Sequence, residues 1–306
     1  MTASPDNRAA LATGAGAARS DVLLGIGLIT LSMAVLSAMD AVVKWLAADY
    51  PTIQLMFFRS AFAFLPIAPL ILRAGPAAAL RTRNLPAHAL RSVFGLGALG
   101  CFFLSLVYLP LADAAAIAFA APLFITALSM PILGEAVGLR RWSAVAIGFI
   151  GVLVMVRPGI GVFQPAALLP LAAALFLSLM VLYVRKLTRT ESDTAIVFYY
   201  SLVCTLVTGA AVPFFWVTPD LTDLLLLISV GILGGIGQIL LTAAYRRTEA
   251  SILAPFDYTA MAWAVLFGYL IWNDLPGLNI WIGVAIVIAS GVYIIYREAE
   301  LRPSRN

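Results

Sequence analysis

Runs of about twenty residues with almost no charge recur ten times along this chain, each closed by a short group of basic, proline or glycine residues. A helix of that length rises about 30 Å and matches the hydrocarbon core of a bilayer. Only 19 lysines and arginines and 15 acids are present among 306 residues, 11% of the chain, while 62% is hydrophobic; soluble domains carry about 25% charge. Such a chain cannot cover a water-facing surface. The expected fold class is an all-α polytopic membrane protein.

The runs read as helices over 22–46, 52–72, 88–109, 113–133, 142–157, 165–184, 194–215, 222–244, 250–272 and 278–296. The first is too long for a signal-peptide core and is read as retained, with residues 1–21 as a disordered Ala-rich tail and 298–306 as a second tail. With the N-terminus in the cytoplasm, sixteen of the nineteen basic residues, Arg91 among them, fall on inside segments. Arg157 alone falls outside, and Lys44 and Arg59 lie within helices. That asymmetry follows the positive-inside rule and puts both termini in the cytoplasm, with the inner membrane as the expected location.

The net charge of +4 is scattered in small clusters and offers nucleic acid no basic face. Cys101 and Cys204 both sit in apolar runs, and His88 is the only histidine; neither a disulfide framework nor a metal centre is expected, and no cofactor. The string Gly95-Leu96-Gly97-Ala98-Leu99-Gly100 fits a dinucleotide fingerprint in letters but lies inside one apolar helix, without the strand and acidic partner the fingerprint needs. No phosphate-binding loop followed by Lys-Ser/Thr is present either.

The chain repeats itself. At an offset of 141, Leu36, Ser37, Met39, Val43 and Leu46 meet Leu177, Ser178, Met180, Val184 and Leu187. At 137, Ser92, Gly97, Gly100 and Tyr108 meet Ser229, Gly234, Gly237 and Tyr245; at 139, Gly138 and Trp142 meet Gly277 and Trp281. The repeat divides the chain into 22–159 and 160–297, five helices each. Five is odd, so the second copy enters the membrane from the opposite side. Inverted repeats are a recurring architecture of secondary transporters, with the solute site near mid-membrane where the halves meet.

With Pro122-Leu123-Phe124, Gly134-Glu135, Trp142, Gly148, Gly151 and Arg157-Pro158-Gly159 in the first half, and Ala254 through Trp263, Asp274, Gly283 and Gly291 in the second, the chain resembles the drug/metabolite transporter superfamily in its ten-helix EamA branch. One departure is Asn273-Asp274, where the family usually has Gly-Glu. The resemblance implies export of small organic metabolites, amino acids foremost, by alternating access through a central chamber lined by the third and eighth helices. The expected partners are that solute and the lipid bilayer, with a monomer as the working unit.

Candidate site residues follow from polarity in apolar surroundings. Asp40 and Lys44 share a helix face, and Arg59 lies about seven residues into the second helix, where an unpaired charge is costly; they form either a gate or carboxylate-binding cluster, or a structural ion pair with Lys44 reaching to the surface. Asp257 is either a proton carrier or amine ligand, or a partner of Arg246 or Arg247. Gln238 needs a neighbour or a solute. With Tyr258, Trp263, Tyr183 and Ser37 it forms a candidate pocket of aromatic walls and few polar anchors, which leans toward aromatic or large neutral amino acids. Gly97, Gly100, Gly234 and Gly237 serve either close helix packing or space for solute. Glu135 and Asp274 read as helix-terminal acids, and His88 as an interfacial residue. The competing readings are a carrier for riboflavin or nucleoside-like solutes, an intramembrane enzyme and a channel. The enzyme is disfavoured because the chain supplies few convergent catalytic groups.

Overall fold

The computed structural model describes residues 5–75, 81–82, 84–134, 138–156, 165–187, 191, 193–247, 253 and 256–301. Among these, every regular element is helical: α1 Pro5–Leu46, α2 Thr52–Phe62, α3 Phe64–Ala74, α4 Leu85–Tyr108, α5 Leu111–Ala118, α6 Ala121–Leu133, α7 Leu139–Val156, α8 Leu168–Leu187, α9 Asp193–Ala211, α10 Leu221–Arg247, α11 Thr259–Trp272 and α12 Leu278–Leu301, with 3-10 turns at Pro165–Ala167 and Val212–Phe214. Among the described residues seven segments are long and apolar enough to cross a membrane: Asp21–Leu46, Thr52–Arg73, Leu85–Tyr108, Leu111–Ile132, Pro165–Val184, Ala195–Phe214 and Leu221–Ala244. Three shorter apolar helices, Trp142–Val156, Thr259–Trp272 and Leu278–Tyr293, fall where the sequence predicts the remaining spans. The protein is a multi-pass membrane protein. Among the described residues α1 is helical from Pro5 onward, consistent with the helix propensity of its alanines.

Local chemistry sets the element ends. The Asn84 side chain caps α4 by accepting from the Ala87 N–H at 3.2 Å. The span made of α5 and α6 breaks at Phe119–Ala120, ahead of Pro122, which cannot donate to the preceding turn. Gly134 closes α6 in the left-handed conformation at φ 72°, and Asn273 closes α11 at φ 56°. These positions are equivalent at the offset of 139. Asparagine is the side chain that best tolerates this conformation after glycine, so Asn273 keeps in the second half the left-handed cap that Gly134 forms in the first. Glu135 lies outside the described residues.

Contacts along helix pairs fix relative direction. Met39 and Leu36 of α1 lie against Gly234 and Gly237 of α10; position rises on one helix as it falls on the other, so the pair is antiparallel. Phe94 and Gly97 of α4 meet Tyr183 and Phe176 of α8 in the same antiparallel sense, as do Gly148 and Gly151 of α7 with Ser290 and Gly283 of α12. Helices α2 and α10 run parallel, Phe58 facing Gly231 and Ala63 facing Gly235. Two large apolar cores and two small ones result among the described residues. One large core gathers α1, α2, α4 and α10 around Leu46, Leu55, Phe103 and Leu227; the other gathers α5 to α8, α11 and α12 around Ile117, Leu123, Val152 and Val284. Large apolar side chains such as Leu72, Leu139 and Leu270 remain exposed on the outside, as a lipid-facing surface requires.

Candidate functional site

Between α1, α2, α4, α8, α9 and α10 lies a cavity of about 300 Å³. Its walls are mostly apolar, Leu36, Leu99, Phe102, Phe103, Leu177 and Met180, and six polar groups open onto it: Asp40, Arg59, Arg91, Tyr200, Ser201 and Gln238. Both halves of the sequence contribute to it.

Small residues make the room. A Cβ on Gly234 would stand 3.1 Å from the Met39 sulfur, a tight contact, and 3.6 Å from Arg59 Cγ, an ordinary one, so the missing side chain mainly makes room for Met39. A Cβ on Gly95 would collide with the Tyr200 ring, and that ring carries the Arg91 guanidinium 4.2 Å from its centroid, a cation–π contact. Arg91 also donates through Nη1 to the Ile196 carbonyl at 3.3 Å. It is 7% exposed and sits six residues into α4, about 9 Å along the axis. The count of inside-loop arginines therefore loses Arg91, which is a helix residue of the cavity wall.

Asp40, Arg59, Gln238 and Gly234 of the sequence-derived candidates line this cavity. Lys44 does not join them. Its Nζ donates to the carbonyls of Leu106 at 3.3 Å and Leu109 at 2.7 Å and lies 5.3 Å from the Trp272 ring centroid. The reason is local: the last carbonyls of α4 have no intrahelical donor and carry the negative end of the helix dipole, which draws Lys44 away from Asp40 one turn earlier. Gly97, Gly100 and Gly237 face Phe176, Met56 and Leu36 across helix pairs and are packing positions.

The remaining candidates lie elsewhere. The Ser37 hydroxyl donates to the Ala260 carbonyl at 3.4 Å. Trp263 stacks on Phe267 with centroids 6.4 Å apart, and Tyr183 tilts against Phe94 at 5.4 Å. Tyr258 packs edge-on against Phe119, its buried hydroxyl without a hydrogen-bond partner among the described residues. Asp257 stands beside it, outside the cavity wall. The expected aromatic pocket is therefore not assembled as one site, because these rings sit on other faces of helices that do reach the interior.

Sequence reasoning missed Arg91, Tyr200 and Ser201. Gly95 is one turn above Arg91, a small residue beside a charge, and Tyr199-Tyr200-Ser201 is a polar run inside an apolar segment. Both were visible signals.

Two further polar ties join the halves at the ends of the bundle. Tyr50 donates to Asp223 Oδ2 at 2.7 Å, beside Gln54, whose amide donates to the Val217 carbonyl at 2.8 Å and accepts from its N–H at 3.0 Å. The Asp223 hydrogen bond pushes the Tyr50 hydroxyl up to about 12. At the other tie, His88 Nε2 lies 3.7 Å from Glu191 Oε2, each side chain only 1% exposed, with Tyr199 against the imidazole at 4.9 Å. His88 is thus buried between the halves. Among the described residues no cluster of three or more His, Cys, Asp or Glu that would hold a metal occurs.

Comparison with known proteins sets this geometry in context. The S-adenosylmethionine uptake transporter of Rickettsia bellii is 28% identical over 277 residues, 90% of this chain and 95% of that protein. The pseudopaline exporter CntI of Pseudomonas aeruginosa is 32% identical over 276 residues, 89% and 93%, and the riboflavin transporter of Vibrio cholerae is 31% identical over 259 residues, 84% and 87%. A solved crystal structure with 18% identity covers 93% of this chain and 99% of its own, with a TM-score of 0.63, a likeness of fold alone. These relatives point to a small-molecule transporter of the drug/metabolite superfamily and not to an enzyme. The model of the EamA-like transporter family matches residues 23–157 and again 164–297, and the chain belongs to that family.

Proposed function

We propose that this protein is a secondary carrier that exports small organic metabolites of the amino-acid type by alternating access, built from ten spans arranged as two inverted five-helix repeats in the inner membrane with both termini cytoplasmic. The observation that carries the reading is the cavity itself: a chamber between the halves, holding one carboxylate and two guanidiniums in a mostly apolar wall. Charges of both signs in such a place are expensive unless they serve a solute. The direction of the helices supports the inversion. Helix α8, which opens the second half, is antiparallel to α4, the third span of the first half; the first and third spans of one half share a direction, so the halves start oppositely.

Alternating access needs one closure at each membrane face, and the two cross-half ties have the right placement. Tyr50 and Glu191 are equivalent at the offset of 141, and Asp223 stands two positions from the equivalent of His88. Tyr50–Asp223 closes the outer end, and His88–Glu191 the inner end. Each state releases one tie while the other holds.

The export reading draws support from the pseudopaline exporter with 32% identity, and the aromatic side chains in the cavity wall are Phe102, Phe103 and Tyr200, not Tyr183, Tyr258 or Trp263, which lie outside it. A flat heteroaromatic solute is the second reading, supported by the riboflavin-transporting relative. Counterflow in proteoliposomes tests the function. Saturable uptake of a labelled amino acid, accelerated by unlabelled amino acid inside, is the expected result; linear flux without exchange means a channel, and a chemically altered solute means an enzyme.

A further inference from the structure

The charges that face the cavity do not balance. Arg59 and Arg91 bring two positive groups and Asp40 one negative. Asp40 feels the field of Arg59, yet among the described residues no basic nitrogen lies within ion-pair distance of its carboxylate. The Nε atoms of Arg59 and Arg91 are both buried without a hydrogen-bond partner among the described residues. Arg91 is held in place by the Tyr200 ring and the Ile196 carbonyl, neither of which neutralises it. Its neighbour His88 and that residue's partner Glu191 form their own couple a turn away. The site thus holds two guanidiniums and one carboxylate, a net positive charge inside a mostly apolar wall, where compensation is worth most.

We propose that the natural solute is an amino-acid-type anion carrying one ammonium and two acidic groups, the ammonium facing Asp40 and the acidic groups taken by Arg59 and Arg91. This rests on the carrier reading above and narrows its substrate class. Three charged groups on the protein each find a partner only with that charge pattern, and the total falls to zero. Planar guanidinium forks suit carboxylates, which they bind through two parallel hydrogen bonds. A neutral amino acid leaves one fork unmatched, and a flat uncharged solute leaves both. The volume, about 300 Å³, equals roughly ten liquid-water volumes, room for a compact solute of this kind. Gln238 and Ser201, on α10 and α9, add neutral hydrogen-bonding groups along the same wall.

The experiment compares L-glutamate with L-glutamine, alike in size and differing in one charge, on the full-length protein. In proteoliposomes preloaded with an amino-acid mixture, L-glutamate is expected to inhibit counterflow at least about tenfold more strongly than L-glutamine, the scale of one charge-assisted pair. Arg91→Gln should erase that ratio by weakening glutamate alone, while Arg91→Lys retains part of it. Thermal unfolding of the unaltered protein in detergent gives a second readout that does not depend on any variant folding: glutamate should raise Tm more than glutamine at equal concentration. Saturable counterflow in which glutamine matches glutamate overturns the proposal and leaves the carrier reading intact. Absence of saturable exchange for every amino acid tried overturns the carrier reading, and the proposal falls with it.

Discussion

The ring of Phe119 lies edge-on against that of Tyr258, centroids 5.2 Å apart and planes at 65°, and the two residues are equivalent at the offset of 139 that aligns the halves. Each stands at the break within its span, Phe119 between α5 and α6 and Tyr258 at the start of α11. Contact between equivalent residues is what a two-fold axis passing between them requires, and it supports the inverted arrangement proposed above. The Tyr258 hydroxyl is buried, lacks a partner among the described residues and occupies the space where a Cβ on Gly291 would project.

A double-mutant cycle on that contact gives the first prediction. Tyr258→Phe removes a hydroxyl that makes no hydrogen bond among the described residues, so stability should be unchanged or rise by up to about 1 kcal/mol. Gly291→Ala should cost about 1–3 kcal/mol through overpacking. Combining the two should recover most of that loss, since the colliding oxygen is gone; Tm measured in detergent reads the coupling. Additive losses would place the Gly291 constraint somewhere other than Tyr258.

A second prediction concerns the pairing of α7 with α12. A Cβ on Gly151 would stand 2.8 Å from the Gly283 carbonyl oxygen, and one on Gly283 would stand 2.6 Å from that of Gly151. Backbone on both sides cannot yield as a flexible side chain does, so the helices must part. Either alanine substitution should lower stability by about 1–3 kcal/mol. Gly27→Ala, which meets nothing within 4 Å, should be neutral or slightly stabilising through helix propensity. Equal Tm values for all three variants would refute the close approach.

The span pattern was legible because hydrocarbon imposes its own length on a helix, and the candidates Asp40, Arg59 and Gln238 were legible because a polar group in an apolar run declares itself. What stayed hidden is azimuth. Tyr183, Tyr258 and Trp263 lie on helices that reach the interior, yet their side chains point to Phe94, Phe119 and Phe267, and no single-helix pattern distinguishes a cavity face from a packing face when both are apolar. Arg91 was hidden by position: six residues past a helix start, an arginine reads as a membrane-boundary residue, and only the inward turn of that face of α4 makes it part of the site. Lys44 was misplaced for a different reason, since spacing on its own helix cannot reveal carbonyls offered by the end of another.

The proposed closures at the two faces predict opposite effects on access. With Cys101 and Cys204 replaced by alanine and Ser201→Cys as a reporter in the cavity, a membrane-impermeant maleimide can be applied from either face of oriented proteoliposomes. Tyr50→Phe should speed labelling from the outer face severalfold, and Glu191→Gln from the inner face; acceleration on the same face by both would contradict their roles. The outer tie has a pH signature as well. Because Asp223 raises the Tyr50 hydroxyl to about 12, the hydroxyl keeps its proton well beyond its ordinary range near 10, and the tie is lost only as pH climbs through the raised value. Outer-face labelling with Tyr50 intact, divided at each pH by the labelling rate of the same reporter in unfolded protein to remove the thiol's own titration, should therefore be flat between about pH 7 and 9.

Lys44 offers the sharpest separation of anchor from gate. Its ammonium satisfies the Leu106 and Leu109 carbonyls and rests on Trp272, with Asp113 and Asp274 the acids whose field reaches it. Lys44→Met keeps most of the apolar stem but strands two carbonyls and removes the counter-charge of those acids, which should cost about 1–3 kcal/mol of stability. The cavity, which Lys44 does not line, should bind solute with unchanged apparent affinity, whereas Arg59→Gln, inside the cavity, should weaken it about tenfold or more with a smaller change in Tm. Measuring Tm and counterflow inhibition on both variants separates the roles: a Lys44→Met protein of normal Tm and altered affinity would return Lys44 to the solute path and break the anchor assignment.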